Sequence, residues 1–246
     1  MRNRRLAEPA GAADAALLAL LGALRGRGYR FVSPTPASHA RVVARPERAR
    51  ARSIADVFGW SLPFGPGVLD EELERLAARG GILEEVDGLK RSRLRVSMLR
   101  GRLFLHSAYP TDDRDAVFFG PDSYRFADLI AAELGDCAAG VRIVDIGTGA
   151  GVGAIVAAGL CPRSALTMTD VNPQALRLAR LNAAHGRVEA AFVETDGLTG
   201  IAAGIDVALA NPPYIADAAG RAYRDGGDMH GARLSLDMAT AAASAM

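Results

Sequence analysis

Lysine is nearly absent from this chain. Lys90 is the only one among 29 basic side chains in 246 residues. That skew, with abundant alanine, reads as base composition in a GC-rich coding sequence and carries no functional argument by itself. Cysteine is scarce too. Cys137 and Cys161 are too few for a disulfide framework and too isolated for a zinc site, and both are expected as reduced thiols. No apolar run approaches the length of a membrane span. Net charge is almost nil at +1, and half of the residues are hydrophobic against 23% charged, which excludes global disorder. The length allows one large domain or two modest ones.

The small net charge conceals an asymmetry. Residues 1–115 carry 20 basic and 14 acidic side chains, whereas residues 116–246 carry 9 and 14. A basic half joined to an acidic half predicts two modules, 1–115 and 116–246, with different partners. A basic module suits a polyanion such as nucleic acid, although arginine-rich surfaces also simply solvate themselves. Arg2, Arg4 and Arg5 before the apolar Ala15–Leu24 resemble a signal peptide. Glu8 and Asp14 interrupt the approach, however, and Gly26–Tyr29 is a poor cleavage context. Leu17, Leu18, Leu20, Leu21 and Leu24 instead fit one face of an amphipathic helix. A cytoplasmic location without membrane contact is expected.

In the first half, residues 29–50 contain Pro34, Pro36 and Pro46 and read as irregular. A short helix is expected over Ala51–Phe58 and a loop over Ser61–Gly67. Asp70 caps a helix that runs to Arg79 and stops at Gly80-Gly81. Strands follow at Ile82–Val86, Leu94–Leu99 and Leu103–His106, with turns at Asp87-Gly88 and Arg100-Gly101. Helices followed by a basic hairpin resemble a winged helix; the plain alternative is a small accessory domain.

The second half alternates. A helix over Ser123–Leu134 leads to strands at Arg142–Ile146, Ala165–Thr169, Val188–Glu194 and Ile205–Ala210. Helices at Gly151–Ala158 and Pro173–Ala184 lie between them, and a last helix covers Ala232–Ala245. This spacing predicts an α/β, Rossmann-like, mostly parallel doubly wound sheet with ligands beyond the strands' carboxyl ends.

The chemistry-bearing residues fall on those ends. The first strand runs into Asp145-Ile146-Gly147-Thr148-Gly149-Ala150-Gly151, where glycines let a ligand approach the backbone. Gly149–Ala154 also fits a dinucleotide fingerprint, so a nicotinamide or flavin oxidoreductase is an open reading at this point. Asp170 ends the second strand and suits the two hydroxyls of a ribose, in NAD or in S-adenosylmethionine. Asp196-Gly197 ends the third and suits an adenine amino group; by itself Asp196 reads equally as a turn former. The fourth strand ends in Asn211-Pro212-Pro213-Tyr214. The prolines lack N–H donors, which leaves the Pro212 carbonyl and the Asn211 side-chain oxygen as paired acceptors for a planar –NH2 group. Tyr214 offers a face for stacking. Accepting both hydrogens of an amide or exocyclic amine raises electron density on its nitrogen.

Together, Asp145–Gly151, Asp170, Asp196 and Asn211–Tyr214 resemble a class I S-adenosylmethionine-dependent methyltransferase of the amino-methylating, N-P-P-Y branch. That branch includes the methyltransferase small-domain and release-factor glutamine enzymes. The resemblance covers roughly residues 115–246. It implies methionine contacts at Asp145, Gly147, Thr148, Gly149 and Gly151, ribose at Asp170, and adenine at Asp196 and Gly197. It places Asn211, Pro212 and Tyr214 at the target nitrogen, Asn211 also touching the cofactor, with Phe119 and Tyr124 closing over the site. It implies direct methyl transfer without a metal. The acceptor is a nucleic-acid base, a protein glutamine or a small molecule. His185 reads as a surface residue, and His230, nearer the active edge, as structural or solvated.

Two departures bear on that resemblance. The first half does not look like the helical domain of the release-factor enzymes. In addition, nothing after Tyr214 reads as a strand, so the last strands of the full fold are expected to be missing. The fourth strand would then be an edge, covered by a second copy or by a further segment. The competing reading is a non-catalytic winged-helix regulator joined to a truncated methyltransferase domain.

Overall fold

The computed structural model describes residues 11–109, 113–213 and 226–246. They group into two compact units. One comprises residues 11–109 with 119–121, and the other comprises residues 113–118 and 122–246, as far as described.

In the first unit, helix α1 (Ala12–Gly26) packs on helix α4 (Glu71–Arg79). Leu17, Leu20, Leu21 and Leu24 recur at helical spacing and are fully buried, and Leu73 and Ala77 of α4 are buried with them. At Gly80 a Cβ would lie 2.6 Å from the end of the Leu17 side chain, which would have to shift to admit one. Asp70 caps α4, its Oδ1 accepting from the Leu73 N–H at 2.9 Å. Arg27, just beyond α1, pairs with both Asp70 and Glu72 at 2.8 Å.

Residues 29–50 are more regular than expected. Helix α2 (Pro36–Val43) begins with proline at its first position, where no N–H is missed, and Thr35 accepts from the Ser38 N–H. A 3-10 turn follows at Pro46–Arg48, and helix α3 spans Ile54–Phe58. Four strands form where three were expected. The additional strand β2 (Leu89–Ser92) pairs antiparallel with β1 (Leu83–Val86) across Asp87-Gly88. Its Lys90 also exchanges both backbone hydrogen bonds with Phe64, at 2.7 and 3.0 Å. Strands β3 (Leu94–Leu99) and β4 (Arg102–Ser107) form a separate, deeply buried hairpin.

The second unit is a four-stranded parallel sheet of β5 (Arg142–Ile146), β6 (Ala165–Asp170), β7 (Ala191–Glu194) and β8 (Val207–Ala210). Its order is β7-β6-β5-β8. Helix α5 (Pro121–Glu133) precedes the sheet, α6 (Val152–Ala158) and α7 (Pro173–His185) cross between strands, and α8 (Arg233–Ala245) follows. The core uses Ile143, Val144 and Ile146 of β5, Leu166 and Met168 of β6, Ile155 of α6 and Leu178 of α7. The chain first winds outward from β5 to β7 and then returns to the other side of β5 for β8. That reversal opens a crevice at the carboxyl ends of β5 and β8. The architecture is the Rossmann-like fold anticipated from the alternation of strands and helices.

Arg142 holds the near end of this sheet, its guanidinium donating to the carbonyls of Ala202, Ala203 and Gly204. Helix α8 packs Met238 and Ala245 against the buried Val144, Ile146 and Ile205. Among the described residues β8 pairs with β5 alone, and no helix is long and apolar enough to cross a membrane.

One expectation is overturned. Cys137 and Cys161 are not reduced thiols but a disulfide, with their Cα atoms 5.1 Å apart. Residues following α5 and α6, separated by 24 positions in sequence, meet at the same end of the unit, a proximity that no sequence spacing announces.

Candidate active site

The loop after β5 is built for close approach. Gly147 and Gly151 adopt φ of 63° and 83°, in the left-handed region that favours glycine. Gly151 caps α6, and a Cβ there would press to 3.3 Å from that of Ala179. The loop is stitched to its neighbour strand. The Thr148 N–H donates to the Thr169 carbonyl at 2.9 Å, and the Gly149 N–H donates to Asp170 Oδ2 at 2.9 Å. Asp170 also accepts from the Asn172 N–H at 2.9 Å through its other oxygen. Burial raises the Asp170 carboxyl above its ordinary range, opposed by these backbone donors.

Asp145 lies beneath the loop. Its Oδ2 accepts from the Thr148 hydroxyl at 2.6 Å and from the Ala154 N–H at 3.0 Å. Burial nevertheless pushes its carboxyl up to about 7. Gly153 leaves room for it, since a Cβ there would stand 2.6 Å from Asp145 Oδ1.

A cavity of about 430 Å³ opens over these groups, within the range of small-ligand sites. It brings together Asp145, Gly147, Thr148 and Gly149 of the first strand's loop, Asp170 of the second, Asp196 and Gly197 of the third, and Asn211 of the fourth. Four widely separated segments named from sequence thus share one wall. Gly151 stands behind the wall as the helix cap. Pro212 is half-buried, and it is its neighbour Pro213 that lines the cavity. Tyr214 lies outside the described residues. Asp196 is exposed at the rim, and its backbone carbonyl accepts from the Thr199 N–H, so it forms a turn as well as lining the cavity.

The aromatic lining differs from expectation. Phe118 and Phe126 face the cavity. Phe119 is instead buried in the first unit, its ring stacked on His106 at 4.9 Å and near Phe104 at 5.6 Å. Tyr124 is not part of the lining, and His185 is half-buried rather than on the surface. Leu234 and Met238 of α8 also line the cavity, Met238 lying 3.6 Å from where a Gly147 Cβ would be. No spacing in the sequence links them to the site. Their only signal is an apolar pair one helical turn apart.

The electrostatics separate two ligand classes. Among the described residues three aspartates line the cavity, and no lysine, arginine or histidine does. A dinucleotide would bring a doubly negative pyrophosphate into this wall, whereas S-adenosylmethionine brings a sulfonium and an ammonium against one carboxylate, a net positive charge. The residues therefore fit S-adenosylmethionine.

Sheet order, glycine loop and carboxylate lining fit a class I S-adenosylmethionine-dependent methyltransferase domain. Within that class, residues 126–224 match the family model of the methyltransferase small domain. The release factor glutamine methyltransferase of Deinococcus radiodurans is 32% identical over 152 residues, covering 61% of this chain and 54% of that protein. The ribosomal RNA large subunit methyltransferase G of Pseudomonas paraeruginosa is 46% identical over 77 residues, covering 30% and 21%. Among solved structures, the ribosomal protein L11 methylase of Lactobacillus delbrueckii subsp. bulgaricus aligns at 22% identity and a TM-score of 0.41, covering 52% of this chain and 56% of that one. The chain spans about half the length of its release-factor relative.

Proposed function

We propose that this chain belongs to an enzyme that moves the methyl group of S-adenosylmethionine to a planar amino or amide nitrogen. One observation carries the reading: Asn211, at the end of β8, lines the same cavity as Asp170 and the Gly147–Gly149 loop. Asp170 holds the ribose hydroxyls with the lone pairs left free by Gly149 and Asn172. Asp196 and Gly197 take the adenine edge. Asp145, charged once a cation enters, stabilises the methionine end. The Asn211 side-chain oxygen and the Pro212 carbonyl accept the two hydrogens of the target nitrogen, and Tyr214 stacks on its plane.

The bound cofactor supplies an electrophilic methyl on a sulfonium. The nitrogen lone pair forms the C–N bond, the C–S electron pair returns to sulfur, and the surplus proton leaves to solvent. Rate enhancement comes from alignment and from the acceptors at Asn211 and Pro212, which favour a nitrogen with a localised lone pair. A protein glutamine amide and an exocyclic amine of a base both meet these requirements. A cytoplasmic setting suits either acceptor, and a strand from a second copy of the chain would pair beside β8.

Calorimetry with S-adenosylmethionine and NAD tests the cofactor, and labelled-methyl transfer tests the chemistry. Binding of the first ligand alone is expected. Asn211→Ala should abolish transfer while cofactor affinity stays within about tenfold. Preference for NAD, or undiminished turnover in the variant, would refute the reading.

A further inference from the structure

The first unit carries a strongly charged surface that the methyl-transfer site does not use. From the last turn of α2 to the start of α3, Arg41, Arg45, Arg48, Arg50 and Arg52 fall within twelve residues against a single acidic residue, Glu47. Arg48 is committed. It pairs with Asp56 and lies over the Trp60 ring at 5.8 Å. Arg41, Arg45, Arg50 and Arg52 are exposed, and their side chains make no ion pair or hydrogen bond among the described residues.

The segment bearing them is held firmly. The Ala51 N–H donates to the Pro63 carbonyl at 2.8 Å, with Ala51 itself buried. Asp56 accepts from the Arg52 N–H at 3.0 Å as well as from Arg48. Four exposed guanidinium groups thus stand on an anchored backbone with no carboxylate partner among the described residues. The surface that a winged-helix protein would use first is different. Helix α4 opens with Asp70, Glu71, Glu72 and Glu74, and around it Arg27, Lys90 and Arg91 are each paired with a carboxylate. Around α4 the carboxylates Asp70, Glu71, Glu72 and Glu74 thus outnumber the exposed Arg75 and Arg79, unpaired among the described residues, whereas from Arg41 to Arg52 a single carboxylate, Glu47, stands against five arginines.

We propose that the segment from Arg41 to Arg52 docks the phosphodiester backbone of a nucleic acid, with Arg41, Arg45, Arg50 and Arg52 as the phosphate contacts. Guanidinium forks match phosphate oxygens in pairs, and the contact is independent of base sequence. The proposal deepens the methyl-transfer reading by making a nucleic acid the carrier of the acceptor nitrogen, and in that respect it rests on that reading.

The test is fluorescence anisotropy of the full chain with a labelled RNA hairpin and a labelled DNA duplex. Polyglutamate serves as competitor, at salt between about 50 and 200 mM. The variant Arg41→Gln/Arg45→Gln/Arg50→Gln/Arg52→Gln is expected to bind at least tenfold more weakly, with its log–log salt slope shallower by roughly 3 units. Arg75→Gln/Arg79→Gln on α4 should stay within about threefold of wild type, and unchanged thermal unfolding confirms intact folds. An unchanged slope in the quadruple variant, an equal loss in the α4 variant, or equal competition by polyglutamate would overturn the proposal. The RNA and DNA arms tell which nucleic acid is held. Calorimetry with S-adenosylmethionine on the same proteins separates the two readings. Cofactor binding without nucleic-acid binding defeats the docking surface alone, and the reverse defeats methyl transfer alone.

Discussion

Asp145 makes the stability of the second unit depend on pH in an unusual direction. Its carboxyl is pushed from 3.8 up to about 7 because burial penalises the charge more than the Thr148 and Ala154 hydrogen bonds favour it. A group whose pKa rises on folding stabilises the native state fully below its unfolded pKa. That stability is lost as pH rises through the folded value. The shift of about 3 units corresponds to about 4 kcal/mol, lost between roughly pH 4 and pH 7.5. Asp145→Asn removes the titration and preserves the shape, its amide oxygen taking the place of Oδ2. The stability difference between variant and wild type should therefore grow by about 4 kcal/mol across that window. Urea unfolding at a series of pH values measures it. A cation in the cavity favours the charged carboxylate, so S-adenosylmethionine should release close to one proton near pH 6 and almost none near pH 8. Calorimetry in buffers of different ionisation enthalpy reads that proton directly. Parallel pH–stability curves for the two proteins, together with no proton release, would refute the reasoning.

Two other perturbations follow from packing. Gly153→Ala drives a methyl to 2.6 Å from Asp145 Oδ1, a buried group with no room to retreat, and should cost about 1–3 kcal/mol in denaturant unfolding. Replacing Cys137 and Cys161 by Ser and Ala opens a 24-residue loop, and should cost about 3 kcal/mol, an effect that reductant reproduces in wild type and not in the variant. Two free thiols in denatured, unreduced protein would contradict it.

The sheet was largely legible because parallel strands buried on both faces are apolar runs of fixed length, as in Arg142–Ile146. Boundaries moved where backbone closure decided them. The strand expected from Val188 begins at Ala191, because the Val188 N–H instead closes α7 on the Ala183 carbonyl and Arg187 turns to a φ of 56°. Helix α2 was hidden by its prolines, one of which starts it. Strand β2 was hidden by its composition, since Leu-Lys-Arg-Ser lacks an apolar alternation. Of the candidate site, the glycines and aspartates were visible because they stand at strand ends, where topology alone assembles them. Leu234, Met238 and Phe126 were not, because an apolar side chain in a cavity wall and one in a core look alike in sequence.

The Gly149–Asp170 hydrogen bond makes one carboxylate both a candidate ligand and a fastener of the loop opposite. An Asp170 variant would therefore change two things at once, the groups that meet a ribose and the order of the backbone around Gly149. Its loss of affinity would not be the worth of a sugar contact. It would include the entropy of a loop that now has to be ordered by whatever enters. Truncated ligands without the ribose would feel the same mutation, and that shared penalty is the part that belongs to the protein rather than to the sugar.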